Sequence, residues 1–195
     1  MNKKVLAISI LLSTICTTTM ADGPRKSPWN HNASLSYALQ WAGAARNPSY
    51  RTFDNDCTNY ASQTLRAGGW KDTTTSTSTQ MHSWFYKSAS NYGQTWSVAN
   101  SLRARIANGY ELGTEKLGKS FLGTGPEYLN NKIRVGDLIL ADWDNDGIYQ
   151  HVFVVTSVSF SETLISSHTN DRKNYSMANV AESSPNAKFE VYHIS

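Results

Sequence analysis

The sequence predicts an α+β domain, with helices first and an antiparallel sheet after them. Three observations carry that prediction. Apolar residues recur at three- and four-residue intervals early in the chain, with Leu35, Ala38, Leu39, Ala42 and Ala45 as the clearest run. Short β-prone segments crowd the last third, separated by Asp, Asn, Gly and Ser. The length, 195 residues, suits one domain with a sizeable core.

Taken in order, the chain begins with a cationic Met1-Asn2-Lys3-Lys4, an apolar run from Val5 to Leu12 and small residues around Thr19 to Ala21. This is the pattern of a secretory signal peptide, residues 1–21, and it predicts a secreted or periplasmic protein. The apolar run falls short of the ~20 residues that span a bilayer, so no integral membrane segment is expected. A polar leader, 22–32, follows, and the domain proper is predicted over 33–195. Its first helix runs from Ala33 to Arg46 and stops at Asn47-Pro48. The second runs from Cys57 to Ala67, with Tyr60, Ala61, Thr64 and Leu65 on one face and Gly68-Gly69 as its stop. Asp72 to Thr79 is too polar to pack and reads as an exposed loop. Val98 to Ile106 makes a further short helix. Trp41, Trp84 and Trp96 read as core or core-edge residues. Strands are predicted at Asp137–Trp143, His151–Val158, Thr163–Ser167 and Lys188–His193.

Only 17% of the residues are charged and the formal net charge is +3, with two of the basic residues, Lys3 and Lys4, in the predicted signal peptide. That balance gives no electrostatic case for nucleic acid as a partner. Removing the leader also removes Cys16 and leaves Cys57 as the single cysteine. A lone thiol in an exported protein is either a small buried group, a dimer-forming cysteine or a nucleophile.

Position favours the nucleophile. Asp54-Asn55-Asp56 are residues that favour N-caps, so Cys57 falls in the first turn of a helix, where free N–H groups and the dipole stabilise a thiolate. Asp54 and Asp56 oppose this unless their carboxylates are occupied. A cysteine nucleophile also needs a base. Of the histidines, His31 and His193 lie near the ends of the mature chain and His82 beside a polar loop. His151 instead opens an apolar strand and His168 closes the next. A strand pair could therefore present a base and its orienting partner. Asp142-Trp143-Asp144-Asn145-Asp146-Gly147 matches the start of a calcium loop, with Asp142, Asp144 and Asp146 as candidate ligands, but its twelfth position is Phe153 instead of Glu. A hairpin connection with an Asp-Gly turn is the preferred reading, and no metal or cofactor is predicted.

Several segments together carry a family resemblance: Asn47-Pro48-Ser49-Tyr50, Asn55-Asp56-Cys57-Thr58-Asn59-Tyr60-Ala61-Ser62-Gln63, Gly68-Gly69, Gly136-Asp137-Leu138-Ile139, His151-Val152-Phe153-Val154-Val155 and Ser167-His168-Thr169-Asn170-Asp171. They resemble the bacterial "putative amidase domain" family, related to NlpC-type and CHAP cell-wall peptidases and amidases with a papain-like fold. The resemblance implies Cys57 as nucleophile, His151 as general base and acid, and His168 as the residue orienting the imidazole, with Asn170 and Asp171 as alternatives for that third role. The Cys57 backbone N–H is the natural oxyanion donor, with Asn55 a candidate second. The implied substrate is an amide bond in peptidoglycan peptides. The rivals are a non-catalytic exported module binding cell-wall or host ligands, and a cysteine-dependent acyltransferase. A restraining inhibitor protein is unknown.

Overall fold

The computed structural model describes residues 29–73, 76–109 and 133–195 together with the backbone of 114–121. The predicted signal peptide, most of the polar leader, Cys16 and part of the Thr/Ser-rich loop lie outside the described residues. Among them, no helix is long and apolar enough to cross a membrane.

Helix α1 (His31–Gln40) is capped by Asn30, whose side-chain oxygen accepts from the Ala33 N–H at 2.9 Å. It is shorter than predicted. The Trp41 carbonyl, which would serve the next helical turn, faces His168 Nε2 at 2.6 Å, and Gly43 then takes a positive φ of 70°. Helix α2 (Cys57–Ala67) has the predicted bounds, but every residue from Cys57 to Leu65 is buried, so it has no solvent face. Its polar side chains are satisfied inside the protein. Asn59 Oδ1 accepts from Trp96 Nε1 at 2.7 Å, Ser62 Oγ from Trp84 Nε1 at 3.2 Å, and Gln63 Oε1 from the Tyr37 hydroxyl at 2.6 Å. At its end, Gly68 lies so close to Trp29 that an added Cβ would come within 2.2 Å of the indole.

A small ribbon, β1 (Tyr86–Ser88) and β2 (Asn91–Tyr92), leads to α3 (Gln94–Ser97) and α4 (Ala99–Ala107). Trp84 and Trp96 are fully buried and Trp41 packs at the core edge, as predicted. The described part of the Thr/Ser-rich loop is largely exposed.

The sheet contains β3 (Thr114–Phe121), β4 (Leu138–Asp142), β5 (His151–Val158), β6 (Thr163–Ser167), β7 (Arg172–Ser176) and β8 (Lys188–Ile194), in the order β3-β8-β4-β5-β6-β7 and antiparallel throughout. Helix α5 (Met177–Glu182), whose N-cap is Ser176, covers one face. Strand alternation divides the core in two. Leu138, Leu140, Val152 and Val154 pack with Tyr60, Ala61 and Leu65 of α2. Ile139, Ala141, Phe153, Val155 and Ile165 pack on the opposite face with Met177, Val180 and Ala181 of α5. Asp137 pins the entrance of β4: its carboxylate accepts from the backbone of Arg134 (2.8 Å) and Ile194 (3.2 Å) and meets His193 Nδ1 at 2.8 Å.

Candidate active site

Cys57 is the first residue of α2 and is 3% exposed. Its Sγ lies 3.9 Å from the Gln150 carbonyl and 3.7 Å from Thr58 Oγ1, so the thiol abuts the residues that open β5. Burial pushes the thiol up from its ordinary value. Hydrogen bonds from the Thr58 side chain and the Val152 backbone oppose the rise only in part, and the charge of Asp56 adds to it. The thiolate stabilisation expected at a helix start is therefore outweighed by desolvation. Iodoacetamide should alkylate Cys57 more slowly than a free thiol with a pKa of ~8.5, its rate climbing only in alkaline solution. A rate plateau already reached at neutral pH would contradict burial as the controlling influence.

The loop before α2 is fixed by Asp56, 1% exposed. It occupies the N-cap position, yet its carboxylate does not cap the helix. One oxygen accepts from the Phe53 backbone (2.9 Å) and Asn59 Nδ2 (2.8 Å). The other meets His168 Nδ1 at 2.5 Å and lies 3.4 Å from Arg46 Nε. The Asp56 charge that would repel a thiolate is thus occupied by cationic and polar partners.

His168 is 1% exposed, and its second nitrogen faces the Trp41 carbonyl. Both ring nitrogens meet acceptors, an arrangement satisfied by an imidazolium donating to a carboxylate and a carbonyl. The turn after β6 adds two more ties: Thr169 Oγ1 accepts from the Asp56 N–H at 2.8 Å, and Asp171 takes Arg46 Nη2 at 2.7 Å. His168 therefore anchors the start of α2, and no hydrogen bond links His168, Asn170 or Asp171 to His151. In this structure these groups are committed to Asp56, to Arg46 or to solvent.

The pleat of β5 puts Val152 against α2 and turns the His151 side chain the other way, beside Phe153 (ring centroids 4.4 Å apart) and Trp143 (5.8 Å). The expected thiol–imidazole hydrogen bond is not formed, and Sγ meets the strand backbone instead. Burial lowers the imidazole pKa to about 3, with the charge of Arg172 acting in the same direction. The acidic residues before His151 do not hold a proton on it, because Asp142 turns its carboxylate back to the N–H groups of Asp146 (3.1 Å) and Gly147 (2.8 Å). Asp146 likewise accepts from the Ile148 N–H at 2.8 Å, and Asp144 lies 3.4 Å from Gln150 Nε2. The segment is the connection between β4 and β5. Asn55, the candidate oxyanion donor, is exposed in the bend before α2, and no side chain caps the first-turn N–H groups.

The lowered pKa has a measurable consequence. An unfolded histidine binds a proton near pH ~6.5, whereas the folded site accepts one only near pH 3. The unfolded state therefore holds more protons between those limits, and stability falls on acidification from about 6.5 toward about 3, by up to ~1.4 kcal/mol per pH unit. Urea unfolding of His151→Gln should show a shallower pH slope across that window. An unchanged slope would assign the acid sensitivity elsewhere.

The sequence points to Cys57, His151 and His168 and to Asp56 as an N-cap candidate whose charge opposes a thiolate, but not to its pairing with His168, nor to Arg46 and Arg172. The Asp56–His168 pair joins residues 112 positions apart, and no local pattern announces it.

These features define an α+β domain with a buried cysteine at the start of its central helix. The family described as "Putative amidase domain" matches residues 29–192, and the chain belongs to it. Two curated relatives from Bacillus subtilis (strain 168) are similar. "Uncharacterized protein YhbB" is 26% identical over 152 residues, which are 76% of this chain and 45% of that protein. "Uncharacterized protein YjcM" is 27% identical over 150 residues, 73% of this chain and 31% of that protein. The chain thus spans less than half the length of either relative. No solved structure matches it.

Proposed function

We propose that this amidase-family domain is an exported cysteine hydrolase that cleaves an amide bond in peptidoglycan peptides, with a papain-like fold related to the NlpC-type and CHAP enzymes. The observation that carries the reading is the position of Cys57 Sγ, at the start of α2 and against the backbone that presents His151. Once His151 has turned toward α2 and taken the proton of the thiol, the Cys57 thiolate attacks the amide carbonyl, forming a C–S bond and moving the carbonyl π electrons to oxygen. Collapse of that intermediate breaks the C–N bond, and protonated His151 delivers its proton to the leaving amine. Water then attacks the thioester, gives a proton to His151 and releases the carboxylic acid and the thiolate. The Cys57 N–H serves the oxyanion.

In this scheme His151 must turn toward α2. It is the first residue of β5, next to the strand-end bond from the Gln150 N–H to the Ala141 carbonyl, 2.9 Å. His168 acts through Asp56 as a positioning residue. Export rests on the leader, residues 1–21.

The placement of the His151 side chain away from α2 and the buried thiol favour a second reading, a non-catalytic cell-wall binding module. Mass spectrometry of purified peptidoglycan after incubation separates the two. New free amino and carboxyl termini made by the wild type but not by Cys57→Ala support the hydrolase. Retention on peptidoglycan without new termini supports the binder, and products formed with an added amine acceptor would indicate acyl transfer.

A further inference from the structure

On the sheet face away from α2, three side chains each carry a buried polar atom that has no hydrogen-bond partner: His151 Nε2, Ser167 Oγ and Arg172 Nη1. His151 and Ser167 are 4% and 0% exposed. The register that pairs Val154 with Ser166 sets Phe153 beside Ser167, and Ser167 pairs with Arg172 on β7. The Arg172 guanidinium carbon lies 5.7 Å from the Phe153 ring centroid and 5.3 Å from that of Tyr175. His151 packs on the same Phe153 ring, so all three polar groups border one aromatic side chain.

Buried polar groups are almost always paired, and three unpaired groups on one patch point to a ligand. Their chemistry selects its type. A guanidinium is always charged, and among the described residues no carboxylate pairs with Arg172; a partly buried cation without a counter-ion is costly. The serine hydroxyl can donate, and a neutral imidazole donates when its proton sits on Nε2. Three donors with one positive charge fit the two oxygens of a carboxylate. The part-exposed Trp143 and the 41%-exposed Tyr175 offer apolar surface beside them.

We propose that His151, Ser167 and Arg172 form a binding site for a carboxylate carried on an apolar or aromatic body, separate from Cys57. Burial and the Arg172 charge keep the imidazole neutral, so Arg172 supplies the charge and His151 a directed N–H. Occupancy holds His151 on the face away from the thiol.

The probe is hippurate, an aromatic acylglycine, with its neutral amide hippuramide and inorganic phosphate as comparisons. Titration calorimetry is run on the wild type and on Cys57→Ala, so the outcome does not depend on hydrolysis. Saturable hippurate binding is expected in both, with no measurable binding of hippuramide and weaker binding of phosphate. Arg172→Gln should weaken hippurate at least tenfold, and Ser167→Ala roughly threefold to tenfold. In imidazole NMR spectra the His151 signals should move on binding and the His168 signals stay in place, with circular dichroism confirming the fold of each variant. Absent binding, equal affinity for hippuramide, tighter binding of phosphate, or affinity unchanged in Arg172→Gln would each overturn the assignment.

Discussion

Cys57→Ala is expected to fold like the wild type and to lose amide hydrolysis by about three orders of magnitude or more. Removing a nucleophile abolishes the covalent path and leaves only what binding and oxyanion stabilisation supply. The fold should survive because Sγ makes only long contacts, 3.7 and 3.9 Å, and alanine suits the first turn of a helix. Circular dichroism and urea unfolding check the fold, and release of amine from a peptidoglycan peptide checks the activity. Cys57→Ser sharpens the result: it keeps the shape and a hydroxyl but, as a poorer nucleophile, should be nearly as inactive. Wild-type turnover by Cys57→Ala would remove Cys57 from the chemistry.

Asp56→Ala is expected to destabilise the protein by about 3–5 kcal/mol, the usual effect of removing one partner from a buried charged pair. The substitution leaves His168 facing only the Trp41 carbonyl, strands the Phe53 N–H and leaves Asn59 Nδ2 with the Arg51 carbonyl as its one remaining acceptor. Because Arg46 meets the same carboxylate, the change also loosens the loop that leads into Cys57, while the bond from the residue 56 N–H to Thr169 Oγ1 remains. His168→Ala should cost a comparable amount, and the double variant clearly less than the sum of the two, since both remove one interaction. Urea unfolding of the four proteins measures this. Additive losses, or an Asp56→Ala within 1 kcal/mol of wild type, would show that the network does not hold the start of α2.

The elements that sequence reasoning placed well are those with local signals. Helix α2 has acidic and amide residues before it and two glycines after it, and β5 and β6 are apolar runs bounded by turn residues. Helix α1 ends before its apolar spacing does, since Ala42 and Ala45 continue the pattern while the contact with His168 at its end comes from the far part of the chain. Strand β7, Arg172-Lys173-Asn174-Tyr175-Ser176, is polar and lies at the sheet edge, so it lacks an apolar signature. Helix α5 did leave one: Ser176 as cap, then Met177, Val180 and Ala181 at helical spacing. The face of His151 was not legible for a specific reason. Both faces of β5 are buried, so Val152, Phe153, Val154 and Val155 form an unbroken apolar run that does not say which alternate set meets α2. One residue of register decides whether the imidazole faces the thiol.

The most direct test of Cys57 as nucleophile is mass spectrometry of the intact protein, acid-quenched during turnover of a peptidoglycan peptide, followed by peptide mapping. The account predicts a transient increase equal to the acyl part of the substrate, located on Cys57, removed by hydroxylamine as a thioester is, and absent from Cys57→Ala. Product formation with no adduct on Cys57, together with undiminished product from Cys57→Ala, would contradict it.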